Sequence, residues 1–124
     1  MEGQKKILIV DDEEDIQKLL KIRLEQEGFT ILIAGDGEKG IKVAESEMPD
    51  LIILDIMMPK IDGYSCLKEI RRTQKIRDIP ILMMSGKEEE KVRDLFAFQK
   101  ISGYLEKPFE LDNLVAKAKE ILKV

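Results

Sequence analysis

Leu51–Ile52–Ile53–Leu54–Asp55–Ile56–Met57–Met58–Pro59 opens with four consecutive apolar residues, then one carboxylate, and closes on a proline. Bounded by Pro49–Asp50 before it and Pro59 after it, the run reads as a strand buried on both faces. Such a strand belongs inside a parallel sheet covered by helices on either side. An ionised Asp at its end is costly to bury unless a cation or hydrogen-bond donors meet it. In open α/β sheets ligands bind at the carboxyl ends of the strands, which makes Asp55 the candidate reactive group.

Working outward, Ile7–Leu8–Ile9–Val10 repeats the buried pattern and ends in Asp11–Asp12. Glu13–Glu14–Asp15 put negative charge into the first turn of the next segment, where the helix dipole favours it. Ile16, Leu19, Leu20 and Leu24 then recur at helical spacing until Gly28 closes the helix. Phe29–Ala34 is a second strand, more alternating and so nearer an edge, and a helix from about Glu38 to Glu47 ends before Pro49. Beyond the opening stretch, Asp62 is placed to cap a helix from Gly63 to about Arg72 that carries Tyr64, Leu67 and Ile70. Ile79–Met84 is a fourth strand ending at Ser85–Gly86. Glu88–Glu90 open a fourth helix with Val92, Leu95 and Phe96 as its apolar stripe. Tyr104–Glu106 is a short fifth strand that stops at Lys107–Pro108, and Leu111, Leu114, Val115, Ala118, Ile121 and Leu122 mark the last helix.

Five β–α pairs with short connections predict one α/β domain over residues 1–124. Its expected architecture is a doubly wound, five-stranded parallel sheet in the flavodoxin-like (βα)5 order 2-1-3-4-5. In that order Asp11–Asp12 and Asp55 end on adjacent strands at the switch point, with Ser85 and Lys107 on the same edge of the sheet.

Composition narrows the function classes. A net charge of −4 and a pI near 5.0 give no bulk positive field for nucleic acid or an anionic membrane, so neither is an expected partner. The apolar runs are too short to span a bilayer, and Met1–Lys6 is followed by no signal-type apolar region. The lone Cys66 cannot form an internal disulfide, which favours the cytoplasm, and it is most simply a small helix residue. No histidine is present, which removes both the usual zinc ligands and the usual general base.

Asp11, Asp12 and Asp55 in one crevice repel each other, and a divalent cation resolves the conflict. Oxygen ligands completed by waters and a phosphate suit Mg2+ better than a softer metal. Ser85 can donate a hydrogen bond, Lys107 is a fixed cation, and Gly86 lets a ligand approach a backbone N–H. A carboxylate nucleophile with metal, hydroxyl and lysine describes phosphoryl transfer to an aspartate, with Asp55 attacking in line and no general base required.

Along essentially its whole length the chain resembles a response-regulator receiver domain. The residues that carry the resemblance are Ile9–Val10–Asp11–Asp12–Glu13, Asp55 with Met58–Pro59 and Asp62–Gly63, Ser85–Gly86, and Tyr104–Leu105–Glu106–Lys107–Pro108–Phe109. The spacings 55 − 11 = 44, 85 − 55 = 30 and 107 − 85 = 22 also fit the family. The resemblance implies that Asp55 is the phosphoacceptor, that Asp12 is the principal metal carboxylate with Asp11 assisting, and that the Met57 carbonyl is a metal ligand. It further implies that Ser85 follows the phosphoryl group, Lys107 is its ion-pair partner, and Tyr104 changes rotamer with Ser85 on activation. The implied donor is a histidine kinase or a histidine phosphotransfer protein. The implied output is a protein target met through the fourth helix, fifth strand and last helix, by a single receiver domain that is not a classical enzyme.

Blander readings stand beside these. Ser85 is equally suited to capping a helix, and Tyr104 to half-burial on a strand. Lys100–Ile101–Ser102–Gly103 departs from the family's usual Gly-Ala-Asp stretch, which leaves open a receiver-fold interaction module that is not phosphorylated; the receiver portion of a hybrid kinase or of a longer regulator is the other alternative. The aspartyl-phosphatase alternative lacks an acid two residues after the nucleophile, where Met57 stands. Gly35–Asp36–Gly37–Glu38–Lys39–Gly40 matches a dinucleotide fingerprint, but it follows the second strand and its acids repel a pyrophosphate. A turn with a helix entry is the better account.

Overall fold

The alternation that a strand imposes on its side chains divides the apolar runs between two cores. A computed structural model describes residues 4–56, 63–85 and 101–124. In it β1 (Lys6–Val10), β2 (Thr30–Ala34), β3 (Leu51–Asp55), β4 (Ile81–Ser85) and β5 (Gly103–Glu106) form one parallel sheet in the order β2-β1-β3-β4-β5. The described helices are α1 (Glu14–Gln26), α2 (Gly37–Glu47), α3 (Gly63–Arg72) and α4 (Leu111–Leu122). Leu8, Val10, Ile52, Leu54 and Met83 belong to one core with Ala44 of α2 and Leu67 and Ile70 of α3. Ile7, Ile9, Ile53, Leu82 and Met84 belong to the other with Leu20 and Leu24 of α1 and Leu114 and Ala118 of α4. Each central strand is therefore apolar at every position because each parity meets a different helix layer.

Several boundaries shift for physical reasons. Phe29 is not in β2; its N–H bonds to Leu24 O at 3.2 Å and finishes the turn that Gly28 makes at φ 96°. Ile79–Pro80 lie outside β4, since the Ile79 N–H closes a turn on Ile76 O at 3.1 Å and Pro80 has no N–H to give. Leu19, expected on the buried stripe of α1, is 48% exposed, because it sits about 100° around the helix from the buried Leu20. The expected fourth helix between 88 and 96, the loop with Met57 and the Asp62 cap, and Gly86 lie outside the described residues.

The Gly35–Gly40 stretch has a structural explanation. Asp36 caps α2, its side chain accepting from the Lys39 N–H at 2.8 Å. A Cβ on Gly40 would stand 2.9 Å from Val10 Cγ2 and 3.1 Å from Val10 Cγ1, so the glycine lets α2 pack directly on β1. Alanine ordinarily stabilises a helix over glycine by about 1 kcal/mol. At this position overpacking against a stiff, buried valine outweighs that gain, and Gly40→Ala is expected to destabilise the fold by about 1–2 kcal/mol net. Urea denaturation checks the sign, and pairing the change with Val10→Ala is expected to shrink the loss attributable to residue 40.

Candidate functional site

Strand ends build the site. β1 runs out at Val10, and the Asp11 N–H continues the ladder to Ala34 O at 3.1 Å, so Asp11 is fully buried at the edge of the sheet. Its Oδ1 accepts the Glu13 N–H at 2.8 Å. Asp55 ends the neighbouring β3 and is also fully buried. Beyond β5, the Lys107 N–H donates to Ser85 O at 2.6 Å, which ties the residue to the end of β4. From there its ammonium reaches Asp55 Oδ2 at 2.9 Å and lies 3.8 Å from Asp11 Oδ2 and 3.9 Å from Glu13 Oε1.

Asp11, Asp12, Glu13 and Asp55 bring carboxylate oxygens within 4.8 Å of one another. Burial, with the Asp55 and Glu13 charges adding to it, raises the Asp11 pKa from the ordinary 3.8 to about 6, against the opposing effects of the Glu13 N–H and Lys107. Burial works against the Lys107 ammonium, but the hydrogen bond to Asp55 and the nearby Asp55, Asp11 and Glu13 charges hold its pKa above the usual lysine value. One cation thus serves several acids.

The fit of a divalent cation can be judged from Asp11. Its Oδ2 is buried and has no hydrogen-bond partner among the described residues, an arrangement that is expensive unless something positive arrives. The donor set is entirely carboxylate oxygen, with Asp12 and Glu13 open to solvent, and this suits a hard ion that keeps several waters. The residues present fit Mg2+.

Asp11, Asp12, Asp55 and Lys107 are brought together as the sequence suggests. Ser85 is buried at the end of β4, beside β3. Tyr104 is half-buried opposite Met83 on β5 and packs against the core shared with α2 and α3. Glu13, expected as helix-entry charge and as the last residue of the Ile9–Glu13 family stretch but not as a site residue, precedes α1 as the N-cap residue and makes no side-chain cap bond, which leaves its carboxylate for the cluster. The signal was its place directly after Asp11–Asp12. Met57 and Gly86 are not among the described residues.

A doubly wound sheet with acids at the switch point and a lysine reaching in from the edge defines a receiver-type signalling domain. Residues 7–119 match the family model of the response regulator receiver domain, and the chain belongs to that family. Receivers are signalling proteins, not classical enzymes. The chain is 45% identical over 119 residues to the alkaline phosphatase synthesis transcriptional regulatory protein PhoP of Bacillus subtilis, covering 96% of this chain and 49% of that protein. It thus spans about half the length of the curated relatives it matches. Among solved structures it is similar to the chemotaxis protein CheY4 of Vibrio cholerae, with a TM-score of 0.89 and 26% identity, covering 96% of this chain and 99% of that one. It is also similar to the receiver domain of the sensor histidine kinase PA1611 of Pseudomonas aeruginosa, with a TM-score of 0.86 and 26% identity, covering 98% and 100%. That structure has a magnesium ion coordinated in its active-site cleft.

Proposed function

We propose that this receiver accepts a phosphoryl group on Asp55 from a phosphohistidine of a histidine kinase or phosphotransfer protein, and signals the change by protein–protein contact. The observation that carries the reading is the buried Asp55 carboxylate, held 2.9 Å from the Lys107 ammonium. An Asp55 oxygen attacks phosphorus in line, the P–N bond breaks, and the imidazole leaves with the electron pair and takes a proton from solvent. A carboxylate nucleophile carries no proton to remove, so the step needs no base. Lys107 neutralises charge on the transferred oxygens, and Ser85 offers its hydroxyl to one of them. Asp11, Asp12 and Asp55 would hold Mg2+, and the family resemblance would add the Met57 carbonyl as a ligand and Gly86 as phosphoryl-binding backbone. Bound there, Mg2+ supplies charge neutralisation for the phosphoryl oxygens.

The same groups would assist later hydrolysis of the aspartyl phosphate, and Tyr104 would move with Ser85. Residues 1–124 act in this reading as one receiver unit in the cytoplasm. The fourth helix expected from the sequence, β5 and α4 would meet the downstream protein. Among the described residues no helix is long and apolar enough to cross a membrane. The PhoP relative is a transcriptional regulatory protein twice the length of the match, so a route from this switch to transcription is within the reading.

Incubation with acetyl phosphate tests it. Intact mass is expected to show one added phosphoryl group in Mg2+ and none in excess chelator. No phosphoryl gain in Mg2+, or an equal gain in chelator, rejects the reading.

A further inference from the structure

Building on that reading of the acidic cluster, we infer that Gln17 is a positioning residue for the metal-holding segment at the end of β1. Its side-chain amide grips the Asp11 backbone carbonyl, at 2.6 Å, and so fixes the peptide that sets the direction of Asp12. Asp11 is held at three atoms. Its N–H bonds to Ala34 O at 3.1 Å, its Oδ1 to the Glu13 N–H at 2.8 Å, and its carbonyl to Gln17 Nε2. The first bond fixes where the strand ends and the second closes a local turn. The third comes from α1, where the Gln17 backbone is itself held by its bond to Glu13 O at 3.0 Å. The segment from Asp11 to Gln17 is therefore closed by a side chain at one end and by the helix at the other.

Charge explains the choice of an amide. Residues 11–15 are all acidic, and a Glu at position 17 could neither donate to a carbonyl nor avoid adding repulsion. Glutamine supplies a donor with no charge. Its Nε2 also lies 3.9 Å from where a Gly35 Cβ would stand, so the start of the β2–α2 turn passes beside the amide and limits its motion. With the amide gone, the Asp11–Asp12 peptide can rotate, and Asp12 would have to be reoriented each time a cation binds.

Gln17→Met keeps the length and removes the donor. Losing one net hydrogen bond that organises the ligands is expected to weaken Mg2+ binding by about three- to tenfold, measured by calorimetry on the initially metal-free protein. A second readout needs no metal: hydrogen exchange at the Glu13 amide is expected to quicken in Gln17→Met, because the turn it closes is looser. Gln17→Ala is expected to change both in the same direction, and urea denaturation of each variant gives the fraction folded. Unchanged Mg2+ affinity and unchanged Glu13 exchange in the folded variants overturn the inference. So does a loss of affinity accounted for entirely by unfolded protein. If the wild type itself binds no Mg2+, the proposed function fails, while the exchange at Glu13 still judges the role of Gln17.

Discussion

Asp55→Asn is expected to take up no phosphoryl group from acetyl phosphate in Mg2+, while remaining folded. The amide has the shape of the carboxylate, and its oxygen can still accept from the Lys107 ammonium that stands 2.9 Å from Asp55 Oδ2. What it lacks is a nucleophilic oxygen carrying charge, and no neighbour can substitute. Asp11 is locked by its bond to the Glu13 N–H, and Asp12 is exposed beyond the end of the strand. The loss should therefore be complete and not merely a slower rate. Intact mass spectrometry decides the point, with far-UV circular dichroism as the check on folding. Phosphate appearing on Asp55→Asn to the wild-type extent would move the acceptor to another residue.

The second large effect concerns stability. Asp11 has its pKa raised to about 6 in the folded protein from an ordinary 3.8, so folding takes up a proton in that interval. Stability from this source is fully present below about pH 4 and is lost as pH rises through about 6. The corresponding free energy is on the order of 3 kcal/mol at most. Asn resembles the neutral acid and keeps an acceptor for the Glu13 N–H. Metal-free Asp11→Asn is therefore expected to be more stable than the wild type by about 1–3 kcal/mol at pH 8, with the difference fading toward pH 4. Urea denaturation across that pH range checks both the sign and the window. In saturating Mg2+ the order is expected to narrow or reverse, because the wild type then gains binding energy that the variant has given up.

What could be read from the chain beforehand follows from how each signal is encoded. The runs Ile7–Val10 and Leu51–Leu54 are apolar without a break, and only interior strands of a parallel sheet bury both parities, so their central position was legible. Asp11 and Asp55 were legible because charge at the end of such a run demands an explanation. Adjacent apolar residues are less informative: Leu19 and Leu20 both fit a helical stripe, and the contact with the sheet alone selects Leu20. Gln17 carried no signal, since an amide beside the buried Leu20–Leu24 stripe of a helix is unremarkable until its partner is known. Nor could the pattern tell that Gly40 answers to Val10, thirty residues earlier by subtraction (40 − 10) and on a different element.

Lys107 reaches its carboxylates only because four strands lie between the sheet's fifth and the chain's beginning in the right sequence, and this gives the site no local existence. Asp11, Asp55, Ser85 and Lys107 are separated by 44, 30 and 22 residues and meet only through parallel pairings, each of which closes a long loop. Parallel pairings of that span form late relative to local helices. A peptide carrying only one of these strand ends therefore cannot assemble the acidic cluster. Metal affinity becomes an assay of topology: a molecule that binds the ion through Asp11, Asp12 and Asp55 has β1 and β3 paired in register.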